Sequence, residues 1–475
     1  MPIGPIALLS LAVLALATPE ALAQAGGGSS GFGGGGGGFS GGGGGGGFSP
    51  SGGGRGSSGD GDNSSTENAI GIVLIVLILL FPLFVLGVHR RLWKHWRSAS
   101  ARRRNEHARD ERDERVSTAS AEAAEDDPAF GADIVKQQAA ALYVKVQQAW
   151  SARDDAALER LIGSDLLVEW RRRLDGYKAQ RWVNEVEIRR GPEVEYVGLV
   201  NRADSEEDRV TVAISARLHS VVRTAFGKII TRDIDRDGDG EIDVCEYWTL
   251  ARAYNGWQLV SIEQEQEGAH HLDAPIVVAP WSDELRIADE SLVELATADA
   301  PPAGTRVSEL VSVKFDGSAR EHALDLALAD PRCAPDVLEV AARRAVDAWT
   351  EAVDGDDAAL LEIAMPEAAQ ALLYPYGAAQ TAARLVVRGP QLTSLAITAL
   401  HVDREPPRMD VEAQLRGWRY VENRDTAALL SGSKEVETEF TEHWTFALDG
   451  PALAPWRLVG STAPPADPQV RVSFL

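Results

Sequence analysis

Six acidic side chains fall within twelve residues: Asp235-Arg236-Asp237-Gly238-Asp239-Gly240-Glu241-Ile242-Asp243-Val244-Cys245-Glu246. The run fits D-x-D-x-D-G-x5-E at every position. Hard cations take about six to eight oxygens, and this spacing supplies them. Asp235, Asp237, Asp239 and Asp243 offer carboxylates, Glu241 a backbone carbonyl, Glu246 a bidentate carboxylate, and Gly240 the sharp turn. The chemistry implied is Ca2+ binding, with Asp235, Asp237, Asp239, Glu241, Asp243 and Glu246 as the metal residues. Carboxylates so crowded repel one another unless a cation sits among them. Cys245 stays outside the set because hard cations prefer oxygen, and where resting calcium is low Mg2+ competes for the same ligands.

The flanks decide what such a loop can do. The stretch from Phe226 to Thr231 before it and from Tyr247 to Leu250 after it alternate as strands do. The loop therefore resembles that of an EF-hand without the two helices that would open like a sensor, and a bound cation would staple a hairpin. A solvated acidic turn is the competing reading. Glu246 gives that reading weight, because Glu442 holds the same place in a second copy of the domain, which lacks the loop.

Other chemistry is missing from the pattern. No nucleophile elbow, phosphate loop, dinucleotide fingerprint or H-E-x-x-H helix occurs. The adjacent His270 and His271 read as a surface turn. Cys245 and Cys333 are too few and too far apart for a disulfide framework or a cysteine zinc site. A net charge of −24 argues against nucleic acid as a partner. No residue set points to catalysis, so a protein without enzymatic activity is expected.

The first hundred residues place the rest. Residues 3–18 are apolar and short, and Ala21-Leu22-Ala23 ahead of Gln24 forms a cleavage site, so residues 1–23 read as a signal peptide. Of the 45 glycines, 23 lie between Gly26 and Gly61, which makes residues 24–68 too poor in apolar surface to fold and fit to serve as a tether. From Ala69 to Val88 no residue is charged, enough helix to cross a bilayer of about 30 Å. Arg90, Arg91, Lys94, Arg97, Arg102, Arg103 and Arg104 follow, against Arg55 alone between Gln24 and the span. The positive-inside rule then puts the Gly-rich segment outside and everything C-terminal in the cytoplasm of a single-pass cell-membrane protein. Trp93 and Trp96 sit at headgroup depth beside that basic collar, which would attract anionic membrane lipid. Residues 89–130 read as a basic, then mixed-charge stalk.

A chain of 475 residues allows about three folded units, and the remainder repeats itself. Trp150-Ser151 and Asp154 to Leu158 answer to Trp349-Thr350 and Asp356 to Leu360. Arg190-Gly191-Pro192 answers to Arg388-Gly389-Pro390, Glu246-Tyr247-Trp248-Thr249 to Glu442-His443-Trp444-Thr445, and Trp257 to Val260 to Trp456 to Val459. In each copy apolar positions first recur at helical spacing, as from Ala139 to Trp150, and then alternate, as in Glu185 to Ile188 and Val210 to Ile214. Helices first and an antiparallel sheet after them give an α+β domain with helices on one face of a curved sheet.

A helical lead ending at an acidic pair, alternating strands, a Glu246-Tyr247-Trp248 strand with Arg252 close behind, and a final Trp257-x-Leu259 strand resemble the Tim44-like domain family. The resemblance implies the cone-shaped nuclear transport factor two-like fold, here as residues 131–270 with the acidic loop at 235–246 and a divergent copy at 331–475, joined by a linker or lead-in at 271–330. The family's founding member tethers a chaperone motor to a mitochondrial import channel, and bacterial relatives join a signal or span, a Gly-rich stretch and this domain. Nothing in this chain matches the chaperone-binding region. The expectation is a membrane-anchored adaptor whose protein partner, a translocase or chaperone, meets the domains near the membrane. The alternative is a membrane-tethered small-molecule or lipid-binding pocket, or an enzyme of the cone-fold class.

Overall fold

The computed structural model describes residues 108–462 apart from 110, 233–240, 255, 298–322, 329, 355–356, 375–382 and 402–403. The expected signal peptide, tether, membrane span and basic collar lie outside the described residues, as do Asp235, Asp237 and Asp239. Among the described residues no helix is long and apolar enough to cross a membrane.

Helices lead. Residues 111–126 form α1, and its Val116, Ala119 and Ala123 recur at helical spacing and are buried in the first core. The described end of the expected stalk over 89–130 therefore belongs to the folded domain, because an apolar stripe on a helix gains by being covered. In α2 (Ala132–Ala152) Val135, Ala139, Leu142, Tyr143, Val146, Ala149 and Trp150 make one buried face. Asp154 then accepts from the Ala157 amide at 2.9 Å and starts α3 (Asp155–Leu161), so the first acid of the pair is a helix cap in this copy. α4 (Ser164–Ala179) completes the helical layer.

The strands β1 (Trp182–Val200), β2 (Arg209–Thr224), β3 (Ile229–Arg232), β4 (Glu241–Ala253) and β5 (Gly256–Gln264) form one antiparallel sheet in the order β1-β2-β4-β5, with β3 also on β2. Arg232 lies opposite Val221, and Glu241 opposite His219. β3 and β4 thus occupy one lane along β2, on either side of the place opposite Ser220. The expected hairpin is corrected to an interruption within a single strand lane. Alternation reveals a strand but not which neighbour it pairs with.

After β5 the chain turns through a 3-10 helix (Glu267–Leu272) and returns to the sheet edge, where Val277 bridges Val200 and its neighbours Ile276 and Val278 pack against the first core. The 271–330 segment therefore splits. Its start finishes the first domain, while α5 (Glu284–Thr297) places Ala296 in the second core.

The second domain repeats the plan. α6 (Pro335–Asp354), α7 (Ala358–Ile363) and α8 (Pro366–Leu373) precede β6 (Ala383–His401), β7 (Arg408–Asn423), β8 (Leu429–Gly432), β9 (Thr438–Ala447) and β10 (Arg457–Thr462). The order is β6-β7-β9-β10 with β8 also on β7, the same topology as the first sheet. Each copy has its own apolar core. The repeated motifs hold equivalent places: Trp257 Nε1 donates to the Ala129 carbonyl at 3.2 Å and Trp456 Nε1 to that of Arg332 at 2.7 Å, each a residue of a short 3-10 helix. Arg-Gly-Pro falls at a bulge of β1 and again of β6, where Gly191 (φ 86°) and Gly389 (φ 50°) take the positive φ that a Cβ would strain.

Candidate functional site

Glu241 and Asp243 share one face of β4, and both meet arginine. Asp243 accepts from Arg217 Nε at 2.9 Å and Nη2 at 2.6 Å, and Arg189 Nε lies 3.5 Å from Glu241. Glu246 stands an odd number of residues further along the strand and so projects to the opposite face. There it is wholly buried and accepts from Trp248 Nε1 at 3.0 Å. Burial pushes its carboxyl up to about 8, against the lowering effect of the Trp248 bond. A carboxyl protonated near neutral pH and enclosed in the core is not brought together with Glu241 and Asp243, which sit on the other side of the sheet. In the second copy burial likewise raises Glu442, to about 7, while Arg419 beside it works the other way.

Aromatic rings pack the interior of the first domain. Trp150 packs edge-on to Trp170 with ring centroids 5.1 Å apart, and Tyr143 lies 4.9 Å from Trp248. Trp150 Nε1 donates to Asn184 Oδ1 at 2.7 Å, which fixes the indole in the core.

The charged residues gather instead at the seam between the domains, which belong to one compact unit. Glu169 of α4 accepts from Arg424 Nε at 3.1 Å, and Arg384 of β6 lies 3.7 Å from it. Glu422 of β7, with no exposed surface, is 3.8 Å from Arg173, 3.5 Å from Arg384 and 3.3 Å from Lys434. Burial alone would raise Glu169, yet Arg384 and Arg424 hold it below the usual carboxylate range. Burial also pushes Glu267 up to about 7, opposed by Lys434 and Arg388.

Beside Glu267, the 3-10 helix folds His270 and His271 back onto Glu263 of β5. Nε2 of His270 is 2.8 Å from Glu263 Oε2, and Nε2 of His271 is 3.3 Å from Oε1. The pair is therefore no surface turn: the two side chains are only 17% and 15% exposed, and one side chain from the other domain, Arg388, reaches within 3.8 Å of Glu263 Oε1. Burial would raise Glu263, but the two imidazoles hold it well below the carboxylate range. Burial and the neighbouring His270 push His271 down. Adjacent histidines were visible in the sequence, but nothing in the spacing announced a carboxylate that a tight turn would carry back to them.

Residues 116–264 match the family model for the Tim44-like domain. No curated protein matches the chain. Among solved structures, the crystal structure of the intermembrane space region of the chloroplast protein ARC6 is similar over 27% of this chain and 95% of that one, at 12% identity and a TM-score of 0.22, too loose an overlay to bear on function.

Proposed function

We propose that the Tim44-like domain at residues 116–264 and the copy that follows it form a two-domain docking platform without enzymatic activity, held at a membrane by the apolar segment 69–88. The Tim44-like match itself points to membrane-associated, translocation-related work at the level of the family. The observation that carries the platform reading is the contrast between an interior packed with Trp150, Trp170 and Trp248 and a buried ionic seam that locks the two domains together. An interior packed with rings offers a small molecule little room. A locked pair of domains presents a wide, fixed outer surface, which suits a protein partner. A translocase or chaperone fits the family reading as that partner, with lipid headgroups beside the basic collar.

Calcium at the acidic run is part of the proposal, with Asp235, Asp237, Asp239, Glu241 and Asp243 as the ligands and Glu246 outside the set. The arginines on Glu241 and Asp243 compete with the ion, so the expected role is structural. Membrane fractions washed with high salt test the anchoring. The protein should remain with the lipid until detergent is added, and release by salt alone would overturn it.

A further inference from the structure

We propose that Glu263, His270 and His271 form a binding site for a divalent transition metal, with Zn2+ the ion that fits, set at the seam between the two domains. Two imidazole nitrogens and one carboxylate oxygen converge with all three atoms within 4.8 Å of one another. Zinc takes nitrogen and carboxylate oxygen at about 2.0–2.2 Å, which in a tetrahedron puts ligand atoms about 3.3 Å apart. The contacts of 2.8 and 3.3 Å lie at or just under that separation, so small side-chain rotations would admit the ion.

The chemistry of the donors selects the metal. Calcium and magnesium prefer oxygen, whereas two imidazoles with a carboxylate suit zinc and its neighbours. The two imidazoles already lie together, with ring centroids 4.0 Å apart. The rings are also held in place. Tyr247 stacks on His271 at 5.9 Å, and Gly389 of the second domain lies so close to His270 that a Cβ there would come within 2.4 Å of the ring. Binding through Oε2 would leave Oε1 of Glu263 facing Arg388, an outer partner that orients the carboxylate. Three protein ligands leave a fourth position for water. The simpler alternative is a pair of imidazole N–H groups donating to one carboxylate, and the two differ in what they bind.

The site lies against the second domain, through Gly389 and through Trp418 with its ring 6.3 Å from His270, so the metal would brace the seam. It is independent of the docking function and of the acidic run. The test uses the full-length chain, purified, exposed to Zn2+ and dialysed, with metal measured by mass spectrometry. About one zinc per chain is expected, lost in the double variant His270→Ala and His271→Ala and retained in Asp237→Ala. Less than about a tenth of a zinc per chain in the unmodified protein, or full retention in the double variant, would overturn the site. Should the double variant misfold, Co2+ decides on the unmodified chain. Visible absorption bands of a four- or five-coordinate Co2+ with nitrogen ligands support the site, and a spectrum of hexa-aqua Co2+ rejects it.

Discussion

The two domains share a topology and differ most where each strand lane breaks. In the first, Arg232 and Glu241 are separated by residues 233–240 while their partners on β2, Val221 and His219, are separated by Ser220 alone. In the second, Gly432 and Thr438 are separated by residues 433–437 opposite Trp418 and Arg419. The longer break leads into acidic side chains that meet surface arginines. The shorter one carries Lys434 inward to Glu422, over the Tyr420 ring at 4.9 Å. One position in a common fold thus differs between the copies: it leads into the acidic run in one and forms part of the seam in the other. The buried glutamates show the same divergence. Glu246 is kept as a neutral acid with a Trp donor, and Glu442 is kept beside Arg419.

The seam gives the largest way to break this comparison. Glu422→Ala would leave Arg173, Arg384 and Lys434 around an uncompensated hole and should cost about 3–5 kcal/mol in denaturant unfolding. Glu241→Ala, on the more open face of the first domain, should cost at most about 1 kcal/mol. Equal losses would show that the two lane breaks carry equal structural weight.

The buried acids sharpen it through pH. A carboxyl raised in the folded state stabilises that state fully below its unfolded value and loses the contribution as pH rises through the folded value. Stability should therefore fall between the ordinary 4.5 and about 8 for Glu246, and between 4.5 and about 7 for Glu442. Glu246→Gln should flatten the decline by up to about 5 kcal/mol, and Glu442→Gln by up to about 3 kcal/mol, because its window is narrower. Thermal melts from pH 4 to pH 9 would read both, and an unchanged slope in Glu246→Gln would refute the neutral acid.

Calcium separates the loop from the core. At a hundredfold excess over its Kd, the ion should add about 2.7 kcal/mol of stability. Asp237→Ala should abolish this gain and Glu246→Gln should keep it. Loss in Glu246→Gln would restore Glu246 to the ligand set. A small effect is also expected at Asp154→Ala, where losing the bond to the Ala157 amide should cost about 1 kcal/mol by denaturant unfolding.

Much of the fold was legible because it rests on local pattern. Helical spacing from Ala139 to Trp150, alternation in β2, and the recurrence of Trp257 and Trp456 each describe one element or one repeat. What was not legible is what pairing decides. The spacing of the acidic run matches a cation loop, yet strand parity turns Glu246 into the core, and the parity depends on where β4 begins. Glu169 and Arg424 meet from distant parts of the sequence, and only the docking of two copies brings them together. Glu263 joins His270 and His271 because a 3-10 turn reverses the chain, which neither hydropathy nor motif spacing encodes.

Cross-linking in native membranes, followed by mass spectrometry of what is attached to residues 109–462, tests the docking platform itself. A single abundant protein, joined to the outer surfaces of one or both domains and lost when the seam is broken by Glu422→Ala, is the predicted result. Recovery of lipid or a small molecule alone, with no protein attached, would contradict it.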